Sequence, residues 1–413
     1  MIQKIKSVLS SSTTRDTLIS FIGLGTIAGV GMVFSVITAR GLGPSLFGLF
    51  SALNALVTLL SGIGDLGISS ALVNFLPKVK DTRSTLISVT FWFQVIVSTV
   101  IALILIILSV FHQNVIPGSE AIHFIIVGVL TAAYILQGFA LGIFNAEKKF
   151  FQASFIQGSD SVIKLTIVAG LFFTNTLNIE FALLANLLSC FISIAYGFYG
   201  EFKNIRPIFP RQQLTEIFKF SKWIALSRVF SVMISRIDVL LLNLMVGSFQ
   251  AGIFAASSRI ALFFALLVSS IGSVTAPRFS AFVHKEDIKK YIRKVALMVG
   301  GISILMILTV IVADPLVRTI FGDKYIPSIP VFRALTIAMI PFLLSVVTSQ
   351  PLIYSFNQPK FFSRITIIQV VLIIILDLIL IPKYQAMGPT ISLGITNVVA
   401  LSLSSWKLYT LLK

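Results

Sequence analysis

The stretch that decides the fold is Phe218–Arg259, with the sequence FKFSKWIALSRVFSVMISRIDVLLLNLMVGSFQAGIFAASSR. Its hydropathy predicts a membrane-spanning helix, a short turn at Gly247 and Ser248, and the start of the next helix. The stretch nevertheless holds charged side chains at membrane depth: Arg228, Arg236, Asp238 and Arg259. A charge at that depth costs about 2.5–3.5 kcal/mol when it faces lipid. We therefore expect these side chains to face a bundle interior or a water-filled cavity, as one wall of a polar pathway.

The composition of the whole chain is that of a polytopic membrane protein. Of its 413 residues, 56% are hydrophobic and only 11% are charged, and its mean hydropathy is +0.99. A soluble globular protein needs far more charge to cover its surface. The single cysteine, Cys190, lies in an apolar run, so neither a disulfide framework nor a cluster of metal-binding thiols is expected.

Twelve apolar runs are long enough to cross a hydrocarbon core about 30 Å thick as helices. They lie near residues 17–39, 47–76, 84–111, 121–144, 151–175, 179–200, 218–246, 250–276, 292–314, 328–356, 363–382 and 386–409. The sequence therefore predicts an all-α integral membrane protein with twelve transmembrane helices.

The basic residues alternate between the two sides of this predicted topology. Of the 32 Lys and Arg residues, 23 fall in the termini and the even-numbered gaps or at the helix ends that border them, 4 in the odd-numbered gaps, and 5 at or near helix depth. Such a bias orients the basic side toward the cytoplasm, so both termini are expected there. The same topology explains most of the net charge of +17, and no nucleic-acid-binding motif accompanies it.

The chain also contains an internal repeat. LGPSLFGLFSA at Leu42–Ala52 is similar to VGSFQAGIFAA at Val246–Ala256, at an offset of 204 residues. Both copies lie on the outer turn between the first and second helix of a six-helix half. Because six is an even number of crossings, the chain returns to the side of the membrane from which it started. The two halves are therefore predicted to have the same orientation in the membrane, as a parallel repeat. We place the boundary in the basic loop after residue 200, which gives six-helix bundles at 1–205 and 206–413.

Several short segments that extend from one end of the chain to the other share a common pattern with a known family: ARGLGPSLFG at 39–48, GDLG at 64–67, ID at 237–238 with GIFAA at 252–256, FGDKY at 321–325 and IPKYQAMGP at 381–389. With these segments the chain resembles the bacterial polysaccharide-biosynthesis flippases of the multidrug/oligosaccharidyl-lipid/polysaccharide exporter superfamily. One departure is Gln385, where the family pattern has glycine; it puts no functional residue in doubt.

The resemblance implies a fold and a function. The fold would be two six-helix bundles facing each other across a central cavity. The function would be alternating-access movement of a polyprenyl-diphosphate-linked oligosaccharide from the cytoplasmic to the outer leaflet of a bacterial or archaeal plasma membrane. This implies H+ or Na+ coupling without a cofactor, a lipid-linked anionic glycan and membrane lipids as partners, and candidate contacts with other polysaccharide assembly proteins.

The three deep arginines are the candidate substrate-binding residues. A guanidinium binds phosphate oxygens in pairs and stays charged when partly desolvated, so Arg228, Arg236 and Arg259 would suit a diphosphate. The alternative is a structural ion pair of Arg236 or Arg259 with Asp238. Arg228 has no acidic partner nearby on its own helix, which makes it the leading candidate.

The deep acidic residues are candidates for ion coupling, each with a structural alternative. Asp65 could bind a proton or cation, or it could cap a helix broken at the neighbouring glycines. Asp160 and Lys164, one helical turn apart, could couple transport or form a neutralised structural pair. Asp238 is a further coupling candidate, whereas Asp377 is expected to be an interface group near a helix end.

Two alternative functions remain open at this stage. A multidrug exporter of the same superfamily would move organic cations and would be expected to have an acidic or aromatic cavity; the basic residues of the seventh and eighth helices disfavour it. A membrane glycosyltransferase or polymerase would need an extramembrane site with carboxylates or a metal, but the predicted loops are short and their acidic residues are scattered. No phosphate loop of an ATP-driven pump occurs in the sequence. We therefore predict a transporter rather than an enzyme, without a catalytic or metal site.

Overall fold

The computed structural model describes residues 12–79, 82–199, 205–206, 211–282 and 284–413. Side chains are described within these ranges except at 12–24, 197–198, 211–220, 223 and 227. The loop predicted to hold the repeat boundary lies outside the described residues, apart from 205–206 and 211.

The described chain folds into helices joined by short turns. The α helices are α1 (Ser12–Gly64), α2 (Ile68–Phe75), α3 (Arg83–Leu108), α4 (His112–Val115), α5 (Ala121–Ala146), α6 (Phe150–Phe173), α7 (Ile179–Phe198), α8 (Arg211–Val246), α9 (Ser248–Ala281), α10 (Lys285–Ile311), α11 (Ala313–Phe321), α12 (Ser328–Tyr354), α13 (Pro359–Tyr384) and α14 (Met387–Leu412). The all-α architecture predicted from the sequence is confirmed.

Eleven helices of the described residues are long and apolar enough to cross a membrane, compared with twelve predicted. The difference lies in α1, which contains the first predicted span and most of the second. These two spans meet at Gly43, whose backbone leaves the helical region with φ 73° and ψ 172°. Because glycine has no Cβ, it adopts this conformation without steric cost. The helix therefore kinks at Gly43, and its two arms correspond to two of the twelve predicted spans.

The predicted repeat is visible in the backbone of the turns at Gly43 and Gly247. Gly43 has φ 73° and ψ 172°, and Gly247, 204 residues later, has φ 95° and ψ 168°. The turns also cross in a reciprocal manner. A Cβ added at Gly48 would lie 1.8 Å from the Ser248 carbonyl oxygen, and one added at Gly252 would lie 1.9 Å from the Pro44 carbonyl oxygen. The offset of 204 exchanges these two contacts, as expected of two equivalent segments that pack against each other.

The chain groups into two compact units. The first contains residues 1–42 and 53–236, and the second contains 43–52 and 237–413. Residues 43–52 belong to the second unit because their turn packs against the start of α9. The predicted boundary between 1–205 and 206–413 divides the two copies of the sequence repeat, whereas the two compact units are defined by which residues pack together. The boundary of the repeat stays a prediction.

Each unit contains the same packing pattern. In the first unit, α5 packs against α2, α3 and α7, which are parts of the second, third and sixth predicted spans. In the second unit, α12 packs against α9, α10 and α14, which are the eighth, ninth and twelfth spans. The fourth span of each half of the sequence therefore occupies the same central place in its own unit.

Candidate functional site

The second predicted span is broken within its length. Residues 47–76 are predicted as one helix, but α1 ends at Gly64 and α2 begins at Ile68. The break contains two residues of positive φ, Leu66 at 47° and Gly67 at 73°. A Cβ at Gly67 would lie only 2.7 Å from the Ser221 carbonyl oxygen of α8. Glycine is therefore required here both by the backbone conformation and by the close approach of a neighbouring helix.

Asp65 lies at this break and uses both carboxylate oxygens. Its Oδ1 accepts hydrogen bonds from the Ser69 hydroxyl and from the Ser69 amide, the latter at 3.3 Å. Its Oδ2 accepts a hydrogen bond from Arg228 Nη1 at 3.1 Å. The cap of a broken helix, one of the two interpretations of Asp65, is thus present in the structure. An ion-coupling role for Asp65 stays a prediction.

The ion pair of Asp65 and Arg228 borders a cavity of about 130 Å³ in the first unit. Its other lining residues are Thr58, Ser61, Gly62, Tyr134, Ile135, Gly138 and Val232. One water molecule needs about 10–15 Å³ of such space, so the cavity can hold several waters or one phosphoryl group. The Asp65 side chain is only 4% exposed, whereas the Arg228 side chain is 42% exposed. Arg228 therefore has donor groups available to a ligand, while Asp65 is enclosed.

The other two predicted arginines are not among the residues that line this cavity. Arg236, in the second half of α8, is partly buried, and its Nε has no hydrogen-bond partner among the described atoms. Arg259 lies in α9 of the second unit and is partly buried. Substrate binding by Arg236 and Arg259 stays a prediction.

Asp238 faces a second acidic residue, Asp377 of α13, with Ser392 of α14 beside it. Asp238 is 8% exposed and Asp377 is 0% exposed. Among the described atoms, neither oxygen of Asp377 nor Oδ1 of Asp238 has a hydrogen-bond partner. Two adjacent buried carboxylates cannot both remain charged without a large cost, so one must hold a proton or both must share a cation.

The assignment of Asp377 to an interface position was wrong, because its side chain is fully enclosed. On α13 it shares a buried face with Val370, Ile373 and Ile381. These positions recur at three- and four-residue intervals, the spacing of one helix face. In the sequence α13 is apolar on every face, so the buried face that places Asp377 inside the second unit is recognised only in the structure.

Asp160 and Lys164 form the neutralised pair that was one of their two interpretations. Lys164 Nζ donates to Asp160 Oδ2 at 2.9 Å, and the Ser189 hydroxyl donates to Oδ1 at 2.7 Å. The ammonium also lies 5.7 Å from the ring centroid of Phe34. Both carboxylate oxygens are satisfied, as a structural pair within a bundle requires. An ion-coupling role for Asp160 and Lys164 stays a prediction.

Comparison with known proteins places this geometry in a family. Residues 37–330 match the family profile described as Polysaccharide biosynthesis protein. The chain is 25% identical, over 391 residues, to a Shigella flexneri protein described as an O-antigen transporter; the match covers 90% of this chain and 91% of that protein.

Solved structures share the fold. The lipid II flippase MurJ in an inward closed conformation has a TM-score of 0.75 at 16% identity, covering 95% of this chain and 87% of that one. An inward-facing multidrug transporter of the MATE family has a TM-score of 0.72 at 16% identity, covering 95% of this chain and 98% of that one. At such identities the likeness concerns the fold alone. The profile match spans more than half of the chain, and the chain therefore belongs to the polysaccharide biosynthesis protein family.

Proposed function

We propose that the protein is a flippase that moves a polyprenyl-diphosphate-linked oligosaccharide from the cytoplasmic to the outer leaflet by alternating access, for export of a cell-surface polysaccharide. The observation that carries this proposal is Arg228, a partly exposed guanidinium bordering a polar cavity at a broken helix. The names of a relative and of a structural neighbour, O-antigen transporter and lipid II flippase, support a lipid-linked glycan as the substrate class.

The diphosphate is the part of this substrate that Arg228 would recognise. Charged hydrogen bonds of this kind contribute about 1.5–3 kcal/mol, or roughly 10- to 100-fold in affinity. Thr58, Ser61 and Tyr134 supply further hydroxyl groups around the same space. The cavity holds a phosphoryl group rather than a whole oligosaccharide, so the glycan and the polyprenyl tail lie outside it.

The protein is a multi-pass membrane protein, and we place it in a bacterial or archaeal plasma membrane with both termini in the cytoplasm. The distribution of basic residues supports this orientation. The chain transports its substrate rather than transforming it. Membrane lipids surround it, and other polysaccharide assembly proteins would supply and remove the glycan.

An H+ or Na+ gradient drives the cycle in this proposal. The buried Asp238 and Asp377 pair in the second unit supports coupling, because it offers a site for one proton or one small cation. Transport into proteoliposomes under an imposed pH gradient or an imposed Na+ gradient would identify the ion. Asp377→Asn should remove the dependence on that gradient, and a variant that keeps full dependence would exclude the pair.

The export of organic cations is the competing function, and Asp65 is the observation that favours it. A carboxylate beside a cavity can attract a cation, and the fold is shared with a multidrug transporter. However, Asp65 is enclosed and already engaged by Arg228 and Ser69. Unchanged drug sensitivity of cells that overproduce the protein is the expected result.

Complementation of a flippase-deficient strain tests the proposed function. Arg228→Ala should abolish polymer export, and Arg228→Lys should restore it in part, because lysine keeps the charge but loses the paired donors. The matched control is Arg318→Ala. Arg318 lies on the short helix α11 and is bonded to Asp314 of the same helix and to Asp323, which follows it. Membrane abundance is measured for each variant. Full export by Arg228→Ala at normal abundance would contradict the proposal.

A further inference from the structure

The two partners of the Asp65–Arg228 ion pair differ in their freedom to leave it. Asp65 is held by the Ser69 amide and hydroxyl at the start of α2, and Gln94 Nε2 donates to its backbone carbonyl at 2.9 Å. Arg228 contacts Asp65 through one nitrogen and is 42% exposed. A guanidinium has five N–H donors, so Arg228 can turn toward a ligand while Asp65 stays in place.

Asp65 is also the group that a bound anion would meet. Among the described residues that line the cavity, the charged side chains are Asp65 and Arg228, and the remaining titratable one is Tyr134 of α5. The neighbouring side chains from α1, α2 and α3 are the uncharged Thr58, Ser61, Ser69 and Gln94. Among the described residues that line the cavity, the Asp65 carboxylate is therefore the group that would repel a phosphoryl group beside Arg228.

We propose that Asp65 is a displaceable counter-ion, which the substrate diphosphate must replace at Arg228 and whose return to Arg228 helps to expel the substrate. This inference rests on the proposed function, because it takes Arg228 as the group that binds the diphosphate. On binding, the Arg228 N–H donors move from the Asp65 carboxylate to phosphoryl oxygens. On release they move back. Asp65 thus lowers the affinity of the protein for the substrate and shortens the residence time of the bound substrate.

Two substitutions remove the charge of Asp65 and keep a group that can cap α2. Asparagine and serine are both favourable near a helix start, so Asp65→Asn and Asp65→Ser should fold. Each should bind undecaprenyl diphosphate about tenfold more tightly than the wild type, since Arg228 no longer exchanges one charged partner for another. Each should also transport more slowly, because release loses its internal competitor. A role limited to capping would predict no tighter binding.

The experiment measures binding of undecaprenyl diphosphate to the full-length protein in nanodiscs, with transport measured in proteoliposomes. Ser69→Ala is the matched control, because it removes a hydroxyl contact at the same helix break and leaves the Asp65 charge; it should not tighten binding. Binding by both Asp65 variants that is equal to or weaker than wild type overturns the inference and leaves the proposed function standing. Wild-type protein that does not bind the probe overturns both.

Discussion

A methyl group where the segments that follow Gly43 and Gly247 cross should destabilise the protein. A Cβ at Gly48 would lie 1.8 Å from the Ser248 carbonyl oxygen. Carbon–oxygen contacts of this kind are normally about 3.3–3.6 Å, so the turns would have to separate by about 1.5 Å. Overpacking of this kind costs about 1–3 kcal/mol, which outweighs the 0.5–1 kcal/mol or so that alanine gains over glycine in a helix. Gly48→Ala should therefore unfold at lower temperature than wild type.

The assay is thermal unfolding of the purified protein in one detergent at one scan rate, because unfolding of large proteins is often irreversible. Gly300→Ala in α10 is the matched control, since a Cβ there meets no atom within 4 Å; its apparent Tm should stay unchanged or rise. Gly252→Ala should behave as Gly48→Ala does, because its added Cβ would lie 1.9 Å from the Pro44 carbonyl oxygen.

The double substitution tests whether the two contacts form one crossing. Once the turns have separated to accept the first methyl group, the second should cost less than it does alone. Residues in contact commonly show such non-additivity. If Gly48→Ala were as stable as Gly300→Ala, or if the two effects simply added, the close reciprocal crossing would be refuted.

Three further predictions concern the surface and the topology. Burial would raise the pKa of Glu147, but hydrogen bonds from Lys149 and Arg83 outweigh the effect of burial and hold the pKa below the ordinary value. Glu147→Gln should therefore lower the apparent Tm at neutral pH. The difference in Tm between this variant and the wild type should vanish as the pH falls below about 4. Equal stability of the two proteins at neutral pH would contradict this. Gln385 has φ 52° and ψ −129°, a strained backbone conformation that glycine adopts more easily, so Gln385→Gly should raise the free energy of unfolding by about 1 kcal/mol. Gln385→Ala keeps the strain and loses the hydrogen bond to Gln250, so it should not raise the free energy of unfolding. Reporter fusions should read cytoplasmic after Val79 and Lys149 and external at Asn114 and Gly247; a cytoplasmic report at Gly247 would contradict the topology.

Features that depend on local sequence were predictable. Helix lengths follow from hydropathy, and the equivalence of Gly43 and Gly247 follows from the repeat, because both depend on residues close together in the chain. The sequence predicts two helices where the structure has the kinked α1, because a glycine–proline pair is typical of a turn. In the structure Pro44 follows the kink as an early residue of the second helical arm.

Contacts between distant residues were not predictable in the same way. Arg228 has no acidic neighbour on its own helix, and its partner Asp65 precedes it by 163 residues. The burial of Asp377 is likewise not readable from its position near a helix end, because α13 is apolar on every face and its buried face is set by the helices that pack against it. In both cases the relevant quantity is the distance between two helices in space, which one sequence without covariation does not contain.

Flipping in proteoliposomes tests the central claim most directly. A fluorescent polyprenyl-diphosphate-linked sugar is incorporated into both leaflets, and its movement is followed by an impermeant quencher. Wild-type protein should accelerate movement between leaflets, Arg228→Lys should retain part of the rate, and Arg228→Ala should be indistinguishable from empty liposomes. Acceleration by Arg228→Ala equal to that of wild type, or no acceleration by correctly inserted wild-type protein, would contradict a flippase that binds its substrate through Arg228.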